Sequence, residues 1–368
     1  MNPSIQYLIV LLEDAATSFC YYDAYGPSEP NKIISQNQLQ TIVDFAEKNS
    51  LFINFLYGDS PLSEELEQLI ETTTHIKIAP VSQIGYLQNA IFVFDYNGQD
   101  LPEINSFEGK PIIILRLGKK HLNQLNVIYD ALFRKCSRIN LIIKDIDDFT
   151  PDEFQQYEEQ LKGISKKTSL AFQQELNSEL SFITDRILLT QMNNCNAGIS
   201  HITISPSGDF FLCPAWFSNN SKPIGNVESG FELKNQELLK LENAPICRIC
   251  DAWHCKRCYF LNQKTTLEIN TPSHEQCVGS HLERNASRNV LKLLRKSGIA
   301  MDNFSPIPPI DYLDPFEEAR EIIKTIEIDT LQGEAIKVNE VVSDRELLEK
   351  ILKQQELILA KLNNTKPE

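Results

Sequence analysis

Two textures alternate along the first half of the chain. Six short runs are rich in Ile, Val, Leu and Phe: Tyr7–Leu12 (YLIVLL), Leu51–Leu56 (LFINFL), His75–Pro80 (HIKIAP), Ala90–Asp95 (AIFVFD), Pro111–Leu117 (PIIILRL) and Ile139–Asp145 (INLIIKD). Near-continuous apolar runs of this length predict strands buried on both faces. Between them lie LQTIVDFAEK, SEELEQLIE and LNQLNVIYDALFRK, whose apolar residues recur at three- and four-residue spacing and predict amphipathic helices. TPDEFQQYEEQL opens a further helix, with Thr150 as cap, Pro151 in the first turn and Glu153 closing a capping box. Strand–helix alternation implies a parallel sheet or an α/β barrel, and about six strands fit better than eight.

The pattern changes after Arg186. Residues 187–285 hold seven of the nine cysteines, much Asn, Ser and Pro, and few helical periods. Loop-rich chain with dense cysteine points to metal supplying what a hydrophobic core does not. ASRNVLKLLRKSG (Ala286–Gly298) then reads as a helix with a glycine stop, and NFSPIPPIDYLDP (Asn303–Pro315) as an extended connector. SDRELLEKILKQQELILAKL predicts a terminal helix with Ser343 and Glu346 as a capping box. Leu348, Leu352, Gln355, Leu359 and Leu362 trace a rough heptad, and docking on the chain's own surface is preferred to a coiled coil. The expected division is 1–186, 187–285 and 286–368.

Composition narrows the setting. The 368 residues contain 42% hydrophobic and 23% charged residues, as in a globular protein, with a formal net charge of -15. That charge disfavours nucleic acid and anionic lipid as partners. No opening segment reads as a signal peptide and no run is long enough to span a membrane, so a cytoplasmic address is expected. A reducing compartment disfavours disulfides and leaves metal ligation or free thiols.

The cysteines in question are Cys195, Cys213, Cys247, Cys250, Cys255, Cys258 and Cys277. Seven exceed what one tetrahedral zinc takes and suggest two sites. Cys247–Cys250 and Cys255–Cys258 are C-x2-C pairs only four residues apart, a gap very short for the two knuckles of a zinc ribbon. Pairs serving different sites, or a loop around an iron–sulfur cluster, suit the spacing better, with zinc as the alternative. Upstream, HITIS, the turn PSGD and FFLC predict a hairpin that places Cys195 and Cys213 on or beside a short sheet. His254 is read as a neighbour of the site rather than a ligand. Cys136 is read as a small buried hydrophobe.

The order C-x12-G-x4-C, then C-x2-C-x4-C-x2-C, then a lone cysteine resembles the SPASM domain, which is appended to radical S-adenosylmethionine enzymes that mature peptides. Gly208 and Cys213 match its G-x4-C element. The spacings after Cys250 and after Cys255 are each one residue shorter than the family's. The resemblance implies two auxiliary 4Fe–4S clusters. Cys247, Cys250, Cys255 and Cys277 would hold one completely. Cys195, Cys213 and Cys258 would hold the other, with a fourth iron position left open or filled by an unidentified side chain. An open iron would suit a substrate thiolate.

A radical S-adenosylmethionine enzyme also needs a catalytic C-x3-C-x2-C loop after its first strand. Here that loop, EDAATSFCYYD, has only Cys20; the other two ligand positions hold Thr17 and Glu13. The segment Gly58, Asp59, Ser60, Pro61 resembles a degenerate form of the glycine-rich stretch that contacts the cofactor in that family. The expected fold is thus a partial (β/α)6 radical-SAM-like barrel, a SPASM-like metal domain and a C-terminal helical tail. Cys20, Gly58 and Asp59 are the remnant cofactor-binding residues, and the usual ligands for S-adenosylmethionine chemistry are missing. More narrowly, TSFCYYD, GDSP and the intact array resemble the CXXX repeat peptide maturases. That resemblance implies maturation of a cysteine-rich, ribosomally synthesised peptide, alone or with an active radical enzyme as partner. The alternatives are a non-enzymatic peptide-delivery protein and a zinc-binding interaction protein. No catalytic acid, base or nucleophile is assigned.

Overall fold

The computed structural model describes residues 5–23, 32–98, 109–174, 178–299 and 303–317. The six expected strands are present as β1 (Tyr7–Leu11), β2 (Phe52–Leu56), β3 (His75–Pro80), β4 (Ala90–Tyr96), β5 (Ile112–Leu117) and β6 (Arg138–Ile143), and a two-residue strand β7 (Glu179–Leu180) follows. They pair in sequence order, all parallel. On the other flank of β1 lies β8 (His201–Ile204), also parallel to it, with Tyr7 opposite His201. The sheet then continues antiparallel through β9 (Asp209–Phe211), β10 (Gly225–Asn226) and β11 (Gly230–Phe231). Among the described residues it is one open sheet of eleven strands. The cysteine-bearing hairpin is therefore hydrogen-bonded to the first strand of the α/β half.

Both faces of the parallel strands are apolar, which explains the unbroken hydrophobic runs. On one face Leu8, Val10, Ile53, Phe55, Phe92, Ile113 and Leu115 join the main core under the helices. On the other, Ile9, Leu11, Leu56, Ile78, Val93 and Ile114 form a second cluster. Full burial of such a side chain contributes roughly 1.5–3 kcal/mol, so a polar residue on either face needs a compensating partner.

The helices follow their local signals. Helix α1 (Gln36–Lys48) starts at Ser35, whose side chain accepts from the Gln38 N–H, and buries Leu39, Ile42, Val43 and Ala46. Helix α2 (Glu64–Glu71) starts at Ser63 and α3 spans Leu125–Leu132. Helix α4 (Pro151–Gln173) carries the expected capping box between Thr150 and Glu153. After the short α5 (Thr184–Leu188) and α6 (Pro214–Ser218) come α7 (Tyr259–Thr266) and α8 (His274–Lys296). Helix α8 begins twelve residues before the apolar period that announced it, because Ser273 caps it and accepts from the Gln276 N–H. Its first turns, HEQCVGSHLER, bury Cys277, His281 and Arg284 along with Val278 and Leu282, which join the main core. Helix α8 packs along α4, where the Ser165 hydroxyl donates to the Ala286 carbonyl.

Residues 303–314 run without helix, as the prolines require, with the Ser305 N–H donating to the Ile187 carbonyl. The predicted terminal helix lies outside the described residues. Among those described, no helix is long and apolar enough to cross a membrane.

Candidate metal centres and the remnant cofactor loop

The loop after β1 folds inward at the carboxyl ends of the parallel strands, where open α/β sheets place their sites. Its backbone is tied to the next strand, with the Leu12 N–H on the Leu56 carbonyl and the Thr17 N–H on the Tyr57 carbonyl. Glu13 is buried and its Oε1 accepts from the Ser60 N–H at 3.3 Å. A Cβ built on Gly58 would fall inside that carboxylate, so the glycine-rich remnant is filled by this chain's own side chain. The carbonyls of Gly58, Asp59 and Ser60 receive the Gln83 amide at 3.1, 3.3 and 3.5 Å.

Arg116 fixes the rest of the loop. It points from β5 onto the second face of the sheet and is almost fully buried. It donates to the carbonyls of Ser18 at 3.0 Å and Tyr22 at 2.7 Å, and pairs with Asp95 at 2.7 Å and Asp23 at 3.1 Å. Ala16 and Phe19 of the loop and Phe217 of α6 pack on the apolar layer below. Cys20 sits between the two carbonyls that Arg116 holds.

The cysteine-rich half is assembled by capping and by buried cations. Gly208 makes the hairpin turn with φ +89°, which favours glycine. Cys213 follows β9 and caps α6, with Pro214 in the first turn. The dipeptide Gly225–Asn226 becomes the third strand of this hairpin. The Asn193 N–H donates to the Trp253 carbonyl and the Cys195 N–H to the Lys256 carbonyl, both at 2.7 Å, so Cys195 lies along the loop that carries Cys255 and Cys258. In that loop Arg257 adopts a left-handed backbone, φ +46°, and is wholly buried. Its guanidinium donates to Asn194 Oδ1, Asn270 Oδ1 and the Leu239 carbonyl. A second brace is Asp251, which receives Arg284 at 2.5 and 2.6 Å and Arg186 at 3.1 Å; Arg186 also lies 4.1 Å from the Trp253 ring centre. Burial alone would raise the Asp251 carboxyl, but the two guanidiniums outweigh it and hold it below the usual carboxylate range. Sequence reading named Glu13 only as a lost ligand position and did not single out Arg116, Arg257, Asp251 or Arg284, since a charged residue carries no local sign that it will be buried.

All nine cysteines are free thiols. Eight of them segregate into two groups of four. In the first, Cys258 is paired with Cys20 by a side-chain hydrogen bond and lies within electrostatic reach of Cys195 and Cys213. The pKa of Cys20 is lowered, first by that bond and further by Arg116 and Lys256. In the second, Cys277 lies within reach of Cys255, Cys247 and Cys250. Burial pushes Cys195 up to about 11 and Cys247 and Cys250 up to about 12. Tyr21, beside Cys20, is influenced by Cys20 and Cys258 of one group and by Cys255 of the other, so it lies between them. The ninth, Cys136, is fully buried in the main core and stands apart from both groups, in keeping with a packing role. His254 is buried against Glu283, with Nε2 at 3.0 Å from Oε2, while His281 brings Nε2 to 3.4 Å from the Cys250 sulfur.

Of these eight, Cys247, Cys258 and Cys277 are buried and the other five are half-buried; thiols gathered in fours match the demand of a cluster that keeps its thiolates ionised by its own positive irons. Orphaned polar atoms collect beside them. Among the described residues, Tyr22 Oη, Gln276 Oε1, His254 Nδ1 and His281 Nδ1 are buried without a hydrogen-bond partner. Tyr22 is influenced by Cys213 and Cys20, and Gln276 hydrogen-bonds to Cys255. No group of three or more His, Cys, Asp or Glu side chains among the described residues is set to hold a metal ion. The loop after β1 does not fit a catalytic cluster: Glu13 is turned to Ser60, Thr17 has no sulfur, and Cys20 faces Cys258.

No family model and no curated protein matches the chain. Solved structures do. The chain is similar to anSMEcpe with bound AdoMet and Kp18Cys peptide, at 12% identity and TM-score 0.54 over 79% of this chain and 99% of that one. It is similar to histidine-tagged anSMEcpe with bound AdoMet at 10% identity and TM-score 0.53, over 79% and 96%. Native anSMEcpe with bound AdoMet and Cp18Cys peptide aligns at 10% identity and TM-score 0.50, over 79% and 99%. The chain shares the mixed α/β fold of those proteins, with its large parallel sheet. It spans nearly the full length of those proteins, in keeping with the α/β architecture read from the strand–helix alternation and with the fold that the resemblance implied.

Proposed function

We propose that this protein takes part in the maturation of a cysteine-rich ribosomally synthesised peptide, using two auxiliary 4Fe–4S clusters and no catalytic S-adenosylmethionine cluster of its own. The observation that carries this reading is the sorting of the SPASM-type cysteines into two groups, one on Cys258 and one on Cys277. Cys247, Cys250, Cys255 and Cys277 would hold one cluster; Cys195, Cys213 and Cys258 belong to the other. When bound, such clusters supply one-electron transfer at a potential set by burial and nearby hydrogen bonds. The chain's own part is to exclude water from the sulfurs and to offset their charge with Arg257, Lys256 and Arg116. The peptides named with two of the similar structures support a peptide as partner.

The filled mouth of the sheet favours dependence on a separate radical enzyme. Glu13 occupies the room beside Gly58, and the loop that would hold the initiating cluster is packed down by Arg116. Gly58 and Asp59 then serve a strand–turn–helix junction and not a cofactor. Delivery of the peptide to that enzyme is the companion reading.

Anaerobic purification with iron, sulfide and zinc analysis tests the proposal. About eight irons per chain with broad thiolate-to-iron absorption are expected. One or two zincs in a colourless protein would overturn it. Incubation with S-adenosylmethionine and a reductant should release no 5'-deoxyadenosine, whereas release would show that an initiating cluster is present after all.

A further inference from the structure

The SPASM-like pattern leaves the first cluster one ligand short, and the loop after β1 leaves one cysteine without a purpose. We infer that these are the same vacancy: Cys20, from the barrel loop, is the fourth thiolate of the cluster held by Cys195, Cys213 and Cys258. This rests on the iron–sulfur reading above. It changes that reading in one respect, because a cluster with four protein thiolates has no open iron for a substrate thiolate.

Three observations carry it. The first is contact: the Cys20 thiol is the hydrogen-bond partner of Cys258, and both pack against the main core. The second is fixation. Arg116 grips the carbonyls of Ser18 and Tyr22 on either side of Cys20, and the Thr17 N–H is held by the Tyr57 carbonyl. Such a segment cannot swing back to present Cys20 to a catalytic cluster without breaking a buried charge-assisted network. The third is the unpartnered hydroxyl of Tyr22, a residue 6% exposed and within electrostatic reach of Cys213 and Cys20. A buried donor with no acceptor is costly, and a cluster sulfide or thiolate at this place would accept from it.

The chemistry is ligation only. Cys20 loses its proton to solvent and forms one sulfur–iron bond, with no change in oxidation state. The consequence is architectural as well as electronic. The loop that would start radical chemistry in this fold is used instead to close an auxiliary cluster, joining the sheet's mouth to the cysteine-rich half. The cluster is left suited to electron relay and closed to direct binding of a peptide thiolate.

The full-length protein, enriched with 57Fe and purified anaerobically, is compared with Cys20→Ala and Cys258→Ala. Mössbauer spectra of the wild type should show only irons with full sulfur coordination. Mild ferricyanide oxidation should leave its iron content unchanged. Cys20→Ala should lose about one iron per chain on that treatment, acquire the paramagnetic signal of a 3Fe–4S cluster, and shift its reduced-state spectrum on addition of imidazole. Cys258→Ala should lose that cluster's iron more completely. If the wild type itself shows a distinct iron, yields the 3Fe–4S signal and responds to imidazole just as Cys20→Ala does, the inference fails while the two-cluster reading stands. A Cys20–Cys258 disulfide in the protein as isolated, detected by mass spectrometry after thiol alkylation, overturns it as well. A wild type without iron removes both. The Mössbauer measurement needs no variant, so poor folding of Cys20→Ala leaves the test intact.

Discussion

The two sulfur groups are built in opposite ways. The second draws Cys247, Cys250, Cys255 and Cys277 from one short stretch of chain, set on the first turns of α8 and braced by Asp251 between Arg284 and Arg186. The first draws on the loop after β1, on the hairpin paired to β1 through β8, and on the start of α7. Its members reach one place only if the parallel sheet has formed and Arg116 has pulled the β1 loop down. One group is closed by local geometry and the other by the whole fold. A group closed by the whole fold is exposed to every mutation that loosens the barrel; one closed locally is not.

The sharpest test of this difference removes one thiol from each. Cys258→Ala and Cys277→Ala should each lower iron from about eight to about four per chain. Only Cys258→Ala should also free the β1 loop, seen as faster amide exchange at residues 17–22. Equal loosening by both variants would mean that the groups are not separable. Next in size is Asp251→Asn, which leaves two buried guanidiniums short of their charge partner. Removing one member of such a network costs about 3–5 kcal/mol. Urea unfolding should register this, with the second group losing iron first. A smaller effect bears on the first group. Gly58→Ala forces Glu13 out of its place and should cost about 1–3 kcal/mol, as overpacking does. Adding Glu13→Ala should recover most of that loss, since the two positions share one space. No recovery in the double mutant would show that Glu13 does not fill the glycine's room.

Much of this was legible in the sequence, for physical reasons that also mark where legibility ends. Strands β1 to β6 announce themselves because both their faces are buried, so every position votes apolar. Helix α4 announces itself through Thr150, Pro151 and Glu153. The hairpin is signalled by Gly208 in its turn. Helix α8 is legible only from Ala286 onward. In its first turns only Val278 and Leu282 reach the main core, and the buried Cys277, His281 and Arg284 around them blur the apolar period. The place we infer for Cys20 was within reach by counting: three sulfurs wanted a fourth, and of the two cysteines outside the array, Cys136 reads as a buried hydrophobe. What hid it was its position in a loop whose expected use was different. Arg116 gives no such clue, because a lone arginine inside PIIILRL does not reveal that its partners are the backbone carbonyls of a loop nearly a hundred residues earlier.

The gentlest probe of the contrast is pH. His201 opens β8, opposite Tyr7, at the seam where the hairpin meets the barrel. Burial pushes its pKa down to about 4 from the usual 6.5. Above pH 6.5 the ring is neutral in folded and unfolded chains alike, and it contributes nothing to pH dependence. Between 6.5 and 4 the unfolded chain takes up a proton that the folded chain refuses, so stability falls as pH falls. Full expression would reach about 2 kcal/mol at pH 5, at 1.36 kcal/mol per unit, and the partial exposure of the side chain reduces this to about 1 kcal/mol. Urea midpoints at pH 7 and pH 5 should therefore separate by more in the wild type than in His201→Gln. His281 on α8 is pushed down to about 4 by burial as well, so α8 loosens toward pH 5 in wild type and His201→Gln alike. Only the difference between the two proteins reports on the seam, and it should appear as faster amide exchange in β8 and the Cys195 segment; equal exchange there in both proteins at pH 5 would mean that the seam is not where the first group's dependence on the barrel resides.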